Sequence, residues 1–428
     1  MRKSLACILF TALLCTVAAA AGPVDPATVV ATINGRKLSA GELDRILAGV
    51  PQGLRRNLRK DLKQFVRQYA LVSLLASQAE QQGLDKKEPY RQQLEWNRLQ
   101  VLMQAAITEK SRELASQGLS ESDREAKLPQ WLDTVRDSTT VSFENDDYFS
   151  GSIQAAAGVS PDAVVAKVNG RDLTAGEIKS ILTGASAEVR TNFQTDRKTF
   201  LRQYAMMLRL VEIANQQGLE RKSPYQEQLA WVRSNILMQA RLNDYTDHIN
   251  IGPKEEQEYY QAHTDDYTQA KVKVIYVPFT PPELAASAPP DKKGRTEQEA
   301  KARIESIHKQ IAGGADFVEM VRKYSEDATS KANDGDFGTI RRSDKIPEEI
   351  KKVIFSLKAG QVSEPVRQPN GYYLFRVEEI GRQTLDQVRQ TLNREAKSAK
   401  FKEWFDSVRN SLNVTFENEE YFADAAAQ

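Results

Sequence analysis

Apolar positions along this chain recur with two different periods. Val29-Val30-Ala31-Thr32-Ile33 is a short, largely β-branched run that stops at Asn34-Gly35, a pair suited to a tight hairpin turn. Ser39-Ala40-Gly41-Glu42 then has the spacing of a capping box, with a hydroxyl at the N-cap and a carboxylate three residues on, and predicts a helix start. Gly83 sits where a helix should stop and Pro89 where the next should begin. Trp96, Leu99 and Met103 fall at i, i+3 and i+7, one face of a helix. From Val272 to Val277 the pattern alternates in part, as in a strand, and Thr280 to Arg295 is rich in Pro and Ala and reads as a loop. Ala300, Ile304, Ile307 and Ile311 form a helical stripe closed by Gly313-Gly314. A helix over Ala315–Tyr324, a strand at Asp336–Ile340, a helix over Pro347–Phe355 and strands at Val362–Val366 and Tyr372–Val377 complete the order β-α-α-β-α-β-β. That order implies a compact α+β domain of about 110 residues.

The early pattern occurs twice. Val29 to Arg36 returns as Val164 to Arg171, Phe65 to Ala70 as Phe200 to Ala205, Trp96 as Trp231, and Leu102 to Ala105 as Leu237 to Ala240, all at a constant spacing of 135 positions. Asn169-Gly170, Thr174 to Glu177, Gly218 and Pro224 repeat the turn, the capping box, the helix stop and the next helix start. A second match, Trp131 to Arg136 with Trp404 to Arg409 and Val141 to Phe149 with Val414 to Phe422, is spaced by 273. The second copy is therefore the first with about 138 residues inserted before its closing segment, enough for a domain and linkers. The expected organisation is a helical module over 25–150, a second over 160–265 completed by 385–425, and an inserted domain over 268–381. Thr139–Phe149 and Leu412–Phe422 read as extended and suited to pairing with the opening strands. Tyr69, Tyr204, Trp96, Trp231, Met103 and Met238 read either as core packing or as a groove for extended polypeptide, where Met and aromatic side chains adapt to varied partners.

Composition adds little beyond the class. With 40% hydrophobic and 27% charged residues over 428 positions, the chain fits a soluble multidomain protein. The N-terminus adds more. Arg2 and Lys3 precede an apolar run from Leu5 to Val17, which ends in the small residues Ala18 to Ala21. This is the layout of a secretory signal peptide over 1–21. Both cysteines, Cys7 and Cys15, lie inside it, so the mature chain needs no disulfide in an oxidising space. The formal charge of +1 becomes −1 once Arg2 and Lys3 are removed. That balance leaves no electrostatic footprint for nucleic acid. No later segment is apolar enough to span a bilayer, so the expectation is a soluble periplasmic or otherwise extracytoplasmic protein.

Within the insert, four motifs occur in order: Ala312-Gly313-Gly314-Ala315-Asp316-Phe317 with Lys323-Tyr324-Ser325; Asp334-Gly335-Asp336-Phe337-Gly338; Phe355 to Val366; and Gly371 to Val377. Together they resemble the parvulin family of peptidyl-prolyl isomerases. A parvulin-like domain inserted in a helical module resembles the SurA-like and PrsA-like folding factors. The fold class implied is α+β and multidomain, with two mainly helical modules of the SurA N-terminal kind, the second split by the parvulin-like domain. The free-standing module at 25–150 departs from the usual layout.

The resemblance implies a proline pocket of Phe337, Ile346 and Ile350, with Asp327 where parvulins place a Cys or Asp beside the substrate. The same apolar residues read equally as core, and Asp327 equally as a helix N-cap before Ala328. The two family histidines are replaced by Val274 in the opening strand and Tyr373 in the last, leaving Asp327 and Tyr373 as the catalytic candidates. No metal and no cofactor is implied. The implied partners are unfolded or nascent exported polypeptides, with outer-membrane proteins as one client class. Two functions stand side by side: an isomerase that also holds clients, and a pure holdase whose parvulin-like domain binds peptide without catalysis.

Overall fold

The computed structural model describes residues 24–150, 156–281, 283 and 294–427. The expected signal peptide and most of the loop after Thr280 lie outside them. The first copy runs β1 (Val29–Ile33), β2 (Arg36–Ser39), α1 (Ala40–Gly49), α2 (Gln52–Arg59), α3 (Leu62–Gln81), α4 (Tyr90–Ser116), α5 (Glu121–Asp137), β3 (Val141–Phe143) and α6 (Asp146–Ser150). The second opens alike, with β4 (Val164–Val168), β5 (Arg171–Thr174), α7 (Ala175–Gly184), α8 (Ala187–Thr195), α9 (Arg197–Gln216) and α10 (Tyr225–Asp247). There follow α11 (Pro253–Ala262), β6 (Thr268–Pro278), α12 (Glu297–Ala312), α13 (Phe317–Tyr324), α14 (Ala328–Ala332), β7 (Asp336–Arg341), α15 (Glu348–Ser356), β8 (Val366–Gln368), β9 (Gly371–Arg382) and α16 (Leu385–Asn410). The chain ends with β10 (Val414–Phe416) and α17 (Glu419–Ala427). The architecture is mixed α+β, in two compact units. Among the described residues, one is formed by those up to His248 together with those from Glu403 onward, the other by those within Ile249–Lys402.

The local chemistry behind the helical unit is legible at each turn. Asn34 and Gly35 both take positive φ, as do Asn169 and Gly170, which is what a two-residue hairpin turn requires. Ser39 Oγ accepts from the Glu42 amide and Thr174 Oγ1 from the Glu177 amide, while the Glu177 carboxylate accepts from the Thr174 amide. Asp61 and Asp196 cap α3 and α9 in the same way.

The two copies do not close on themselves. β10 pairs with β1, with Ala31 opposite Phe416, while β3 pairs with β4, with Ala166 opposite Phe143. Helices follow the strands: α10 packs on α1 and α3, and α4 packs on α7 and α9. Each lobe of the unit is thus the opening half of one copy completed by the later helix and closing segment of the other. The expectation that 385–425 completes the second module is corrected in this respect, because β10 and α17 close the first copy's hairpin and β3 closes the second's. Strand is also confined to three residues in each closing segment, since Asp146 and Glu419 begin short helices.

The exchange is symmetric in its contacts. Asn34 Oδ1 accepts from the Asn413 amide at 2.8 Å, and Asn169 Oδ1 from the Thr140 amide at 3.1 Å. Gly49 and Gly184 let the ends of α1 and α7 approach the facing helices so closely that a Cβ would lie 2.4 Å from the Glu227 carbonyl oxygen and 2.2 Å from that of Gln92. Arg98 pairs with Glu220 in bidentate fashion, and its counterpart Arg233 with Asp85 and Glu80. One lobe buries Val30, Leu43, Leu47, Phe65, Val66 and Phe422; the other buries Trp96, Leu102, Phe149, Ile178, Phe200 and Tyr204. Removing such a side chain from water contributes about 1.5–3 kcal/mol.

In the second unit β7-β6-β9-β8 form an antiparallel sheet. The expected strand at Val362–Val366 reduces to a bridge at Val362, and β8 begins at Val366. Alternation along β6 and β9 divides the core in two. Ile275, Val277, Tyr372 and Leu374 face α12 and α13, while Val272, Val274, Phe375 and Val377 face the side that carries α15.

Candidate functional site

The side of the sheet under α15 gathers most of the residues that the sequence singles out. In register, Val274 lies opposite Phe375 and Tyr276 opposite Tyr373. The rings form a continuous row: Tyr276 to Tyr373 at 4.5 Å between centroids, Tyr373 parallel to Phe375 at 5.8 Å, and Phe375 to Phe337 at 5.9 Å. Ile346 and Ile350 pack into the same cluster from the start of α15. Ile350 and Phe375 are buried, whereas Phe337 keeps 38% of its surface exposed. An apolar floor with one half-open aromatic ring above it is a shape that can take a ring from a ligand.

Phe337 owes its position to the turn before it. Asp334 and Gly335 both have positive φ, and a Cβ on Gly335 would lie 2.7 Å from Val321 Cγ2. The Gly335 carbonyl accepts from the Val274 amide at 2.8 Å, tying the turn to β6. The Arg322 guanidinium hydrogen-bonds Asp334 at 2.7 Å and lowers its pKa from the ordinary carboxylate value.

Asp327 is held at the rim by its neighbours. Ser325 is fully buried, its Oγ accepts from the Tyr276 amide, and the Glu326 amide donates to the Tyr276 carbonyl. Asp327 Oδ2 in turn accepts from the Ser330 amide at 2.8 Å and caps α14. The N-cap reading therefore holds in the structure, and it coexists with a place beside Tyr276, whose phenol feels the Asp327 charge.

Two hydroxyls stand at the end of the ring row. The Tyr276 hydroxyl donates to the Asn370 carbonyl at 2.7 Å, and its pKa is pushed up to about 12, first by burial and then by Tyr373 and Asp327. The Tyr373 hydroxyl reaches Asn370 Oδ1 only at 3.5 Å, the limit of a hydrogen bond, and also meets the Tyr276 hydroxyl. Val274, on the same strand as Tyr276, is 1% exposed. Sequence reasoning passed over Tyr276; the signal was its place two residues after Val274, which puts it on the same face of the strand.

The family model for the PPIC-type peptidyl-prolyl isomerase domain, a rotamase, matches residues 284–379. Among curated relatives, a SurA chaperone from Chromobacterium violaceum is 36% identical over 125 residues, 28% of this chain and 29% of that protein. A PrsA foldase from Caldanaerobacter subterraneus is 25% identical over 187 residues, 43% of this chain and 54% of its own length. The chain thus spans about half or less of these relatives. A solved structure described for PEB4 and Cj1289, two SurA-like chaperones of Campylobacter jejuni, matches 60% of this chain and 100% of its own at 24% identity, with a TM-score of 0.29. The site lies on a parvulin-type domain of a chain similar to SurA and PrsA folding factors.

Proposed function

We propose that this chain is a folding factor that binds unfolded polypeptides and isomerises X-Pro bonds on the ring row of the parvulin-type domain. The observation that carries the reading is the half-exposed Phe337 over the buried floor of Phe375 and Ile350, with the Tyr373 hydroxyl at its edge. Rotation about a peptide bond meets a barrier of about 18–20 kcal/mol, and X-Pro bonds cross it in tens to hundreds of seconds. A site lowers that barrier by binding the twisted amide better than either planar form. The proline ring sits on Phe337, Phe375, Ile346 and Ile350, where water is excluded. As the amide twists its nitrogen becomes more basic and its carbonyl oxygen less negative, so Tyr373 can donate to the nitrogen; Asp327 supplies negative charge at the rim. Residues 1–21 as a signal peptide, and a mature chain without cysteine, support an extracytoplasmic location with exported polypeptides as clients. Among the described residues no helix is long and apolar enough to cross a membrane.

A second reading, peptide binding without catalysis in a holdase, is favoured by one observation: a buried Val274, which offers no hydrogen bond, where the family places a histidine. Cis/trans exchange of a short X-Pro peptide, followed by NMR with the full chain, separates the two. Catalysis predicts exchange above the spontaneous rate, lowered about tenfold or more in Tyr373→Phe, which keeps the ring stack, and lowered in Asp327→Asn, which keeps an N-cap residue. Unaccelerated exchange with shifted peptide resonances establishes the binding module instead.

A further inference from the structure

The two lobes of the helical unit are built from the same template, yet one contains a cavity that the other fills. In the first lobe a cavity of about 270 Å³ lies between α1, α3 and α10, walled by Ile46, Tyr69, Val72, Trp231 and Ser234. The equivalent positions in the second lobe are Ile181, Tyr204, Met207, Trp96 and Leu99. There Met207 stands for Val72 and Leu99 for Ser234, and Tyr204, Met207, Trp96 and Leu99 are all buried. In the first lobe Tyr69, Val72, Trp231 and Ser234 remain partly open. The cavity arises because this lobe carries a smaller side chain at two positions.

The polar lining differs as well. Gln92 in the second lobe donates to Ser180 across the helix contact at 2.9 Å. The corresponding pair in the first lobe is Glu227 and Arg45. Glu227 Oε2 and its counterpart Gln92 Oε1 are both buried without a hydrogen-bond partner, so what the first lobe changes there is the formal charge, while Arg45 stands on the exposed rim. Glu42, the other carboxylate of the lining, is paired with Arg36. A buried carboxylate oxygen without a donor costs free energy unless a cation or a hydrogen bond meets it. Around it stand the rings of Trp231 and Tyr69, whose faces attract cations, and aliphatic walls that suit a methylene stem.

We propose that this cavity binds a lysine or arginine side chain, its stem between Trp231 and Tyr69 and its charged head at the Glu227 carboxylate. That the side chain belongs to a bound polypeptide rests on the folding-factor reading above; the cation preference rests on the cavity alone.

The protein has four tryptophans, so the Trp231 indole N–H is one of four resonances and can be followed in the full chain. Titration with Nα-acetyl-lysine methylamide should move the Trp231 resonance, and the norleucine analogue, which lacks the charge, should not. Glu227→Gln, copied from Gln92 in the other lobe, should weaken the lysine probe about tenfold or more. The pair Val72→Met and Ser234→Leu, copied from Met207 and Leu99, should abolish binding without lowering the melting temperature. Arg45→Ser, copied from Ser180, removes a competing cation and should tighten it. An unmoved Trp231, equal binding of norleucine, or unchanged affinity in Glu227→Gln overturns the proposal. Prolyl exchange measured on the same sample is read in the other unit, so loss of either activity is distinguishable from loss of the other.

Discussion

The two lobes of the helical unit teach how far equal sequences can diverge in packing. Both use an Asn-Gly hairpin, a hydroxyl-capped helix, and a glycine pressed against a backbone carbonyl of the partner copy. Both place a T-shaped phenylalanine pair from the closing segment, Phe143 with Phe149 and Phe416 with Phe422, at 4.8 and 4.9 Å. Backbone geometry is thus held constant by turns, caps and close contacts. The difference lies in side-chain volume along α3 and α10: Val72 and Ser234 leave space, Met207 and Leu99 occupy it. Turn and cap residues decide where the helices run, and core side chains decide whether a cavity opens between them.

The largest effect should come from removing the closing segment. Deleting residues 412–428 takes β10 and Phe422 from the first lobe, not from the second. Losing a buried phenylalanine ring costs about 3–5 kcal/mol on its own. Hydrogen exchange should therefore show amides of Val29–Ser39 losing protection while those of Val164–Thr174 keep theirs. Protection lost in Val164–Thr174 instead would mean that each copy closes on itself.

This exchange is also where the sequence was least legible. The repeat, the hairpins and the helix starts follow from residues that act locally, such as Asn34-Gly35 and Ser39 with Glu42. Which copy receives Val414–Phe416 does not, because Val141–Phe143 and Val414–Phe416 present nearly the same alternation to two nearly identical hairpins. Only the connection lengths and the packing of α4 and α10 break that degeneracy. In the parvulin-type unit Phe337 and Tyr373 reach one side of the sheet from strands, Ile346 and Ile350 reach it from the segment that opens α15, and Asp327 caps α14 at the rim. Tyr276 escaped notice because the motif drew attention to Val274, although strand alternation places both on one face. The first-lobe cavity escaped notice for a different reason. The identities of the repeat carry the fold, and the cavity lies in its differences.

Reciprocal exchange of one side chain should sharpen the contrast between the lobes. Leu99 is 8% exposed in a filled core, so Leu99→Ser removes most of a side chain there and should cost about 2–5 kcal/mol. Ser234→Leu adds the same atoms to an existing cavity, where they gain apolar contact, and should change stability by less than about 1.5 kcal/mol. Urea denaturation of both variants measures this, and equal losses would mean that the two lobes are packed alike.

The smallest expected difference is at the hairpins. Asn34 and Asn169 have φ of 49° and 50°, a region that Asn tolerates better than Ala, and each side chain accepts from the closing segment of the other copy. Asn169 also donates from Nδ2 to the Ala205 carbonyl at 3.0 Å, tying its turn to α9. Replacement by Ala at either site loses a hydrogen bond worth about 0.5–1.5 kcal/mol and adds backbone strain. Asn169→Ala should be the costlier of the two, because it also loses the bond that ties the turn to the Ala205 carbonyl. Urea midpoints measured side by side decide it. If Asn34→Ala proves equal or worse, the turn bond to the closing segment, rather than the tie to the helix, dominates hairpin stability in both lobes.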